Sequence, residues 1–167
     1  MEAVGSGAAK QYNRACETTA LTIIGIRRNG MLKDTAEKYY FDNYNCAESV
    51  FLAANEYYSL GVDPSLSKMV GGFGGGIQTG NACGAFLAAV SVLSLLCIDK
   101  KAHESGTLRN AVSLFVSEFE DKMGSDLCSQ IRPRVFEPQR RCAVTVDTVC
   151  DVLEDVIERG RLTGNEE

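Results

Sequence analysis

Apolar residues recur at helical spacing through most of the chain, and no stretch alternates apolar and polar residues long enough to make a good strand. The pattern predicts helices over 12–28, 32–41, 45–59, 65–70, 82–98, 107–123 and 140–159. Each break has a local cause: Asn29-Gly30, Gly61 with Asp63-Pro64, a glycine run, Ser105-Gly106, Gly124-Ser125, and Pro133 with Pro138. The expectation is an all-α fold, a compact multi-helix bundle in a single domain spanning 1–167, with a globular region at about 12–159 and polar, flexible termini. Segment 82–98 has no charged side chain over 17 residues, which is the lower limit for crossing a bilayer. It is flanked by polar helices and contains Gly84, Ser91 and Ser94, so it reads as a buried central helix and not as a membrane span. Its small residues Ala82, Ala85, Ala88, Ala89 and Ser91 let neighbouring helices come close.

Charge narrows the partners. A net charge of −5 opposes nucleic-acid binding, which needs a cationic face. The nearest basic cluster, Arg132, Arg134, Arg140 and Arg141, is interrupted by prolines and reads as a solvated or anion-contacting loop. Asp151, Glu154, Asp155 and Glu158 read as a solvated face of the last helix. Tyr39, Tyr40, Phe41, Tyr44, Phe51, Tyr57 and Tyr58 supply bulky core and interface material, and a homodimer is a modest expectation from them and the apolar helices.

Seven cysteines are more than packing requires in 167 residues. The odd count and the lack of a secretory signal point to reduced thiols in the cytoplasm, not to a disulfide framework. Cys46, Cys83, Cys128 and Cys142 fall at or near expected helix starts. There the partial positive charge and free N–H groups favour a thiolate. Asn45 and Glu48 resemble a capping box around Cys46. Cys97 reads as core, Cys150 as core or a spare thiol, and Cys16 as structural. The spacing is not that of a zinc finger, since no C-x-x-C occurs. His103, the only histidine, sits in a polar connection and reads as exposed.

Seven glycines fall within the fifteen residues 71–85. Gly75 and Gly80 have the spacing of a phosphate-binding loop, but Asn81 and Ala82 replace its Lys and Ser/Thr, and the dinucleotide spacing is absent. The loop is better read as bare backbone at Gly74, Gly75, Gly76 and Gly80, contacting a cofactor through N–H groups that no side chain shields, with close helix packing as the alternative.

Tyr44-Asn45-Cys46-Ala47, Gly72-Phe73-Gly74-Gly75-Gly76-Ile77, Cys83-Gly84-Ala85, Cys128 and Arg141-Cys142 together resemble the C_GCAxxG_C_C family of redox-active proteins, over about 32–157. Ala88 stands where that family has a glycine. The resemblance implies a compact helical domain whose four characteristic cysteines are Cys46, Cys83, Cys128 and Cys142. A similar domain accompanies haem in split-Soret cytochromes, where it can hold an iron–sulfur centre; this chain has no C-x-x-C-H, so c-type haem is not expected.

Three functions follow. In the first, the four thiols converge under the glycine loop, bind an iron–sulfur cluster or another thiophilic metal, and transfer electrons to a redox partner that the sequence does not name. In the second, Cys46 and Cys83 perform thiol–disulfide exchange. In the third, zinc staples a non-catalytic interaction module.

Overall fold

The computed structural model describes residues 30–163. The expected helix at 12–28 and Cys16 lie outside them. Seven α-helices follow in order: α1 (Leu32–Phe41), α2 (Cys46–Tyr57), α3 (Lys68–Gly71), α4 (Gly84–Cys97), α5 (Gly106–Met123), α6 (Cys128–Val135) and α7 (Ala143–Thr163). No strand occurs among the described residues, as the periodicity predicts.

Helix α4 packs against α2, α5 and α7. Gly84, Ala85, Ala88 and Ala89 are buried along it, and small side chains are what let three neighbours approach one helix. Its outer face is less covered: Leu95 is 47% exposed. Among the described residues no helix is long and apolar enough to cross a membrane. Phe86 of α4 meets Phe115 and Phe119 of α5 at ring centroid distances of 5.4 and 5.2 Å, forming the aromatic centre of the core.

Two elements depart from expectation. The basic stretch read as a loop contains α6, which runs through Pro133. Pro133 forgoes the bond that an N–H there would make to the Ser129 carbonyl, and buried Ile131 anchors the segment in spite of that loss. The arginines are internally engaged: Arg132 lies over the Phe136 ring at 4.8 Å, Arg134 reaches the Met123 carbonyl, and Arg140 pairs with Glu37 at 2.6 Å. Arg141 covers Tyr40. The last helix starts at Ala143, not 140, and continues to Thr163.

The acidic face of α7 is only partly solvated. Glu154 accepts from the Leu32 N–H (3.0 Å) and from the Tyr57 hydroxyl (2.6 Å), and Asp151 pairs with Lys33 at 3.2 Å. These contacts satisfy the start of α1 and fix it to α7. Asp147 lies beside them with one carboxylate oxygen buried and unbonded. Burial, then Glu37, raise its pKa to about 6 against the pull of Arg140. Because this pKa is raised, the stability tied to the neutral acid is intact below the ordinary value of 3.8 and lost as pH rises through 6. Asp147→Asn should therefore stabilise the protein at pH 7 by about 1 kcal/mol, after allowance for partial solvent screening. Urea midpoints should show that gain vanishing by pH 4.

Candidate functional site

Four helix starts meet at one end of α4. Asn45 caps α2, accepting from the N–H groups of Ala47 (2.9 Å) and Glu48 (3.1 Å), while Glu48 accepts from the Asn45 N–H (3.1 Å). The capping box is complete, and it places Cys46 at the first position of α2. Asn45 has a second task that its capping motif does not signal: its amide donates to the Gly71 carbonyl at 2.9 Å and so ties the glycine run to the start of α2.

The run then folds tightly over the cysteines. Gly75, Gly76, Ile77 and Gln78 are all left-handed, with φ of 64, 68, 54 and 60°, a reversed turn that is easy for glycine and strained for β-branched isoleucine. The Asn81 N–H closes it on the Gly76 carbonyl at 2.9 Å. Reciprocal bonds follow, from the Cys83 N–H to the Asp126 carbonyl (2.7 Å) and from the Cys128 N–H to the Asn81 carbonyl (2.8 Å). This pairing draws the starts of α4 and α6 together. Cys83 occupies the N-cap of α4, and Cys128 the first position of α6.

Glycine is required where these segments touch. A Cβ on Gly84 would stand 2.6 Å from the Phe73 carbonyl oxygen and 3.0 Å from Cys46 Sγ; one on Gly76 would stand 2.6 Å from Cys128 Cβ. Gly80 abuts Ser129, and Gly74 abuts Asn45. The Cys142 carbonyl accepts the first bonds of α7, from Thr145 (3.0 Å) and Val146 (3.2 Å). Its N–H donates to the Tyr40 hydroxyl at 3.0 Å.

The sulfurs are near enough to act on one another. Cys46 influences Cys83 and Cys142, and Cys128 influences Cys46, Cys83 and Cys142. The expected low pKa values are overturned. Burial pushes Cys46 upward against the N–H groups of Gly75 and Ala85. Burial pushes Cys83 up to about 12 against those of Phe86 and Ala85. Cys142 is raised by burial first and then by Cys46 and Cys128, with Arg132 and Tyr40 opposing. Helix ends do face these sulfurs, but loss of water outweighs them.

No three of the described His, Cys, Asp or Glu side chains stand in metal-ligating positions. All six described cysteines are free thiols. Cys150 is fully buried core, Cys97 is half-buried against the core, and His103 is exposed. Tyr40 is a site residue that the sequence does not reveal, because it looks like ordinary helix core in the α1 pattern.

Residues 44–156, well over half of the chain, match the family described as "Putative redox-active protein (C_GCAxxG_C_C)". An uncharacterized protein of Archaeoglobus fulgidus is 24% identical over 123 residues, covering 65% of this chain and 81% of that protein. No solved structure matches the chain.

Proposed function

The chain belongs to the C_GCAxxG_C_C family of redox-active proteins, and from that premise we propose that Cys46, Cys83, Cys128 and Cys142 hold an iron–sulfur cluster or another thiophilic metal for electron transfer in the cytoplasm. The observation that supports this reading is the meeting of four helix starts, with Cys46 and Cys128 each within electrostatic reach of the other and of both Cys83 and Cys142. The donor set fits: four thiolates suit soft metals and iron–sulfur centres. Bound there, the group would exchange electrons with a redox partner.

The chain's own contribution is electrostatic. The N–H groups of Gly75 and Ala85 face Cys46, and those of Phe86 and Ala85 face Cys83. Aimed at sulfur, they stabilise negative charge that would otherwise be costly in a buried site.

Thiol–disulfide exchange is the second reading, favoured by the contact between Cys46 Sγ and Gly84, the residue beside Cys83. Burial weighs against it as the main function: both Cys46 and Cys83 are pushed above the ordinary thiol value, Cys83 to about 12, which disfavours the attacking thiolate at pH 7. A metal ion, in contrast, displaces the proton directly. Anaerobic purification with iron, sulfide and zinc analysis tests the proposal. Iron with acid-labile sulfide is the expected result. Stoichiometric, redox-silent zinc would favour a structural staple, and metal-free protein with a reversible dithiol couple would favour exchange.

A further inference from the structure

Asn45 carries more bonds than a helix cap needs. Its backbone is fixed first: the N–H donates to the Glu48 carboxylate at 3.1 Å, and the carbonyl accepts from the Ser49 hydroxyl at 2.7 Å and the Ser49 N–H at 2.9 Å. Its side-chain oxygen accepts from the Ala47 and Glu48 N–H groups, while its side-chain nitrogen donates to the Gly71 carbonyl at 2.9 Å. The two ends of one carboxamide therefore serve different elements, the oxygen the start of α2 and the nitrogen the glycine run. The partners fix its orientation, because the amide turned over would set donors against two N–H groups and an acceptor against a carbonyl.

The nitrogen end meets the run at a second point. A Cβ on Gly74 would stand 3.0 Å from both Cγ and Nδ2 of Asn45, so the run lies directly on the amide. Between these two points is Phe73, whose carbonyl faces Gly84, and Gly84 in turn lies against Cys46 Sγ. Two residues beyond Gly74, Gly76 lies against Cys128 Cβ. The residue that holds the run is thus the one that precedes Cys46 in the chain. Among good capping residues only asparagine can do both tasks. Aspartate has no N–H to donate, and serine and threonine place donor and acceptor on a single atom.

We propose that Asn45 is a positioning residue of the thiol site, whose side-chain nitrogen fixes the glycine run against the start of α2 and so sets where Cys128 and the start of α4 stand relative to Cys46. The inference rests on the proposed use of these cysteines as ligands. Outer residues that orient ligands typically change metal affinity by about 10–100-fold when lost.

Asn45→Ser separates the two tasks, since serine caps a helix about as well as asparagine but does not span to Gly71. The control is Asn55→Ser at the other end of α2, where a second carboxamide ties Val62 by bonds of 2.7 and 3.0 Å, away from the cysteines. In reduced, metal-free protein, Asn45→Ser should speed amide exchange at Ile77 and Asn81 and alkylation of Cys128 by about 3–10-fold, the effect of one lost hydrogen bond. Wild-type rates in Asn45→Ser would overturn the proposal. Cobalt(II) then probes the loaded site: its affinity should fall about 10–100-fold in Asn45→Ser and hold in Asn55→Ser. Equal losses in both variants would mean that Asn45 acts through stability alone, which defeats the assignment. If the wild-type protein binds no cobalt(II), the metal reading fails, and the exchange and alkylation rates still decide the role of Asn45.

Discussion

Gly76→Ala should disrupt the thiol site, whereas Gly75→Ala, one residue earlier, should leave it largely in place. Both glycines are left-handed, with φ of 68 and 64°, so each substitution carries a strain of about 1–2 kcal/mol. Space separates them. At Gly75 the nearest atom to an added Cβ is the Gln78 side-chain oxygen at 4.0 Å. At Gly76 the Cβ would overlap the Asn81 carbonyl oxygen, approach Cys128 Cβ to 2.6 Å and approach the Asn81 nitrogen to 2.8 Å. Two of those three contacts are backbone, and the Asn81 backbone is held by bonds to Gly76 and Cys128. Nothing there can swing aside, so the turn must open. The combined strain and overpacking come to about 2–5 kcal/mol for Gly76→Ala. Urea midpoints measure the difference, and exchange of the Asn81 amide locates it. Equal, small effects at both positions would show that the turn is not closed tightly over Cys128.

That pair also marks the limit of what the sequence discloses. The glycine run is visible as a functional loop, but Gly75 and Gly76 are identical neighbours in it. Only the folded surroundings distinguish a glycine needed for its φ from one needed for its lack of a side chain. The helices were legible because amphipathic periodicity and breakers are local, and the Asn45–Glu48 capping box was legible because all its parts lie within four residues. Helix α6 was hidden by Pro133, whose effect depends on where in a helix it falls. The positions of the four cysteines at helix starts were likewise local information. Their pKa values were not, because the field of a helix end is set by neighbours in sequence while desolvation is set by everything packed around the sulfur. At Cys83, which is 5% exposed, the second effect wins. Tyr40 shows the same division: its helix was readable, but its contact with Cys142 spans 102 residues.

Metal binding to the reduced protein should release protons in a measurable burst. Cys46, Cys83 and Cys142 all have pKa values raised above the ordinary thiol value of 9.0, Cys83 to about 12. Each is a neutral thiol at pH 7 and must lose its proton to become a ligand. Titration with cobalt(II) or zinc in buffers of different ionisation enthalpy should therefore show at least about three protons released per site, one from each of these thiols. Apparent affinity should rise by roughly 10³ per unit of pH around neutrality. The same shifts set the alkaline limit of the metal-free protein. With a folded pKa near 12 against 9.0, the stability associated with the neutral Cys83 thiol is intact below pH 9 and lost as pH rises through 12. Bound metal should reverse that trend, because the folded state then holds the thiolate that high pH favours. Metal binding without proton release would mean that the thiols are already ionised, or that they are not the ligands. In either case burial would not govern this site.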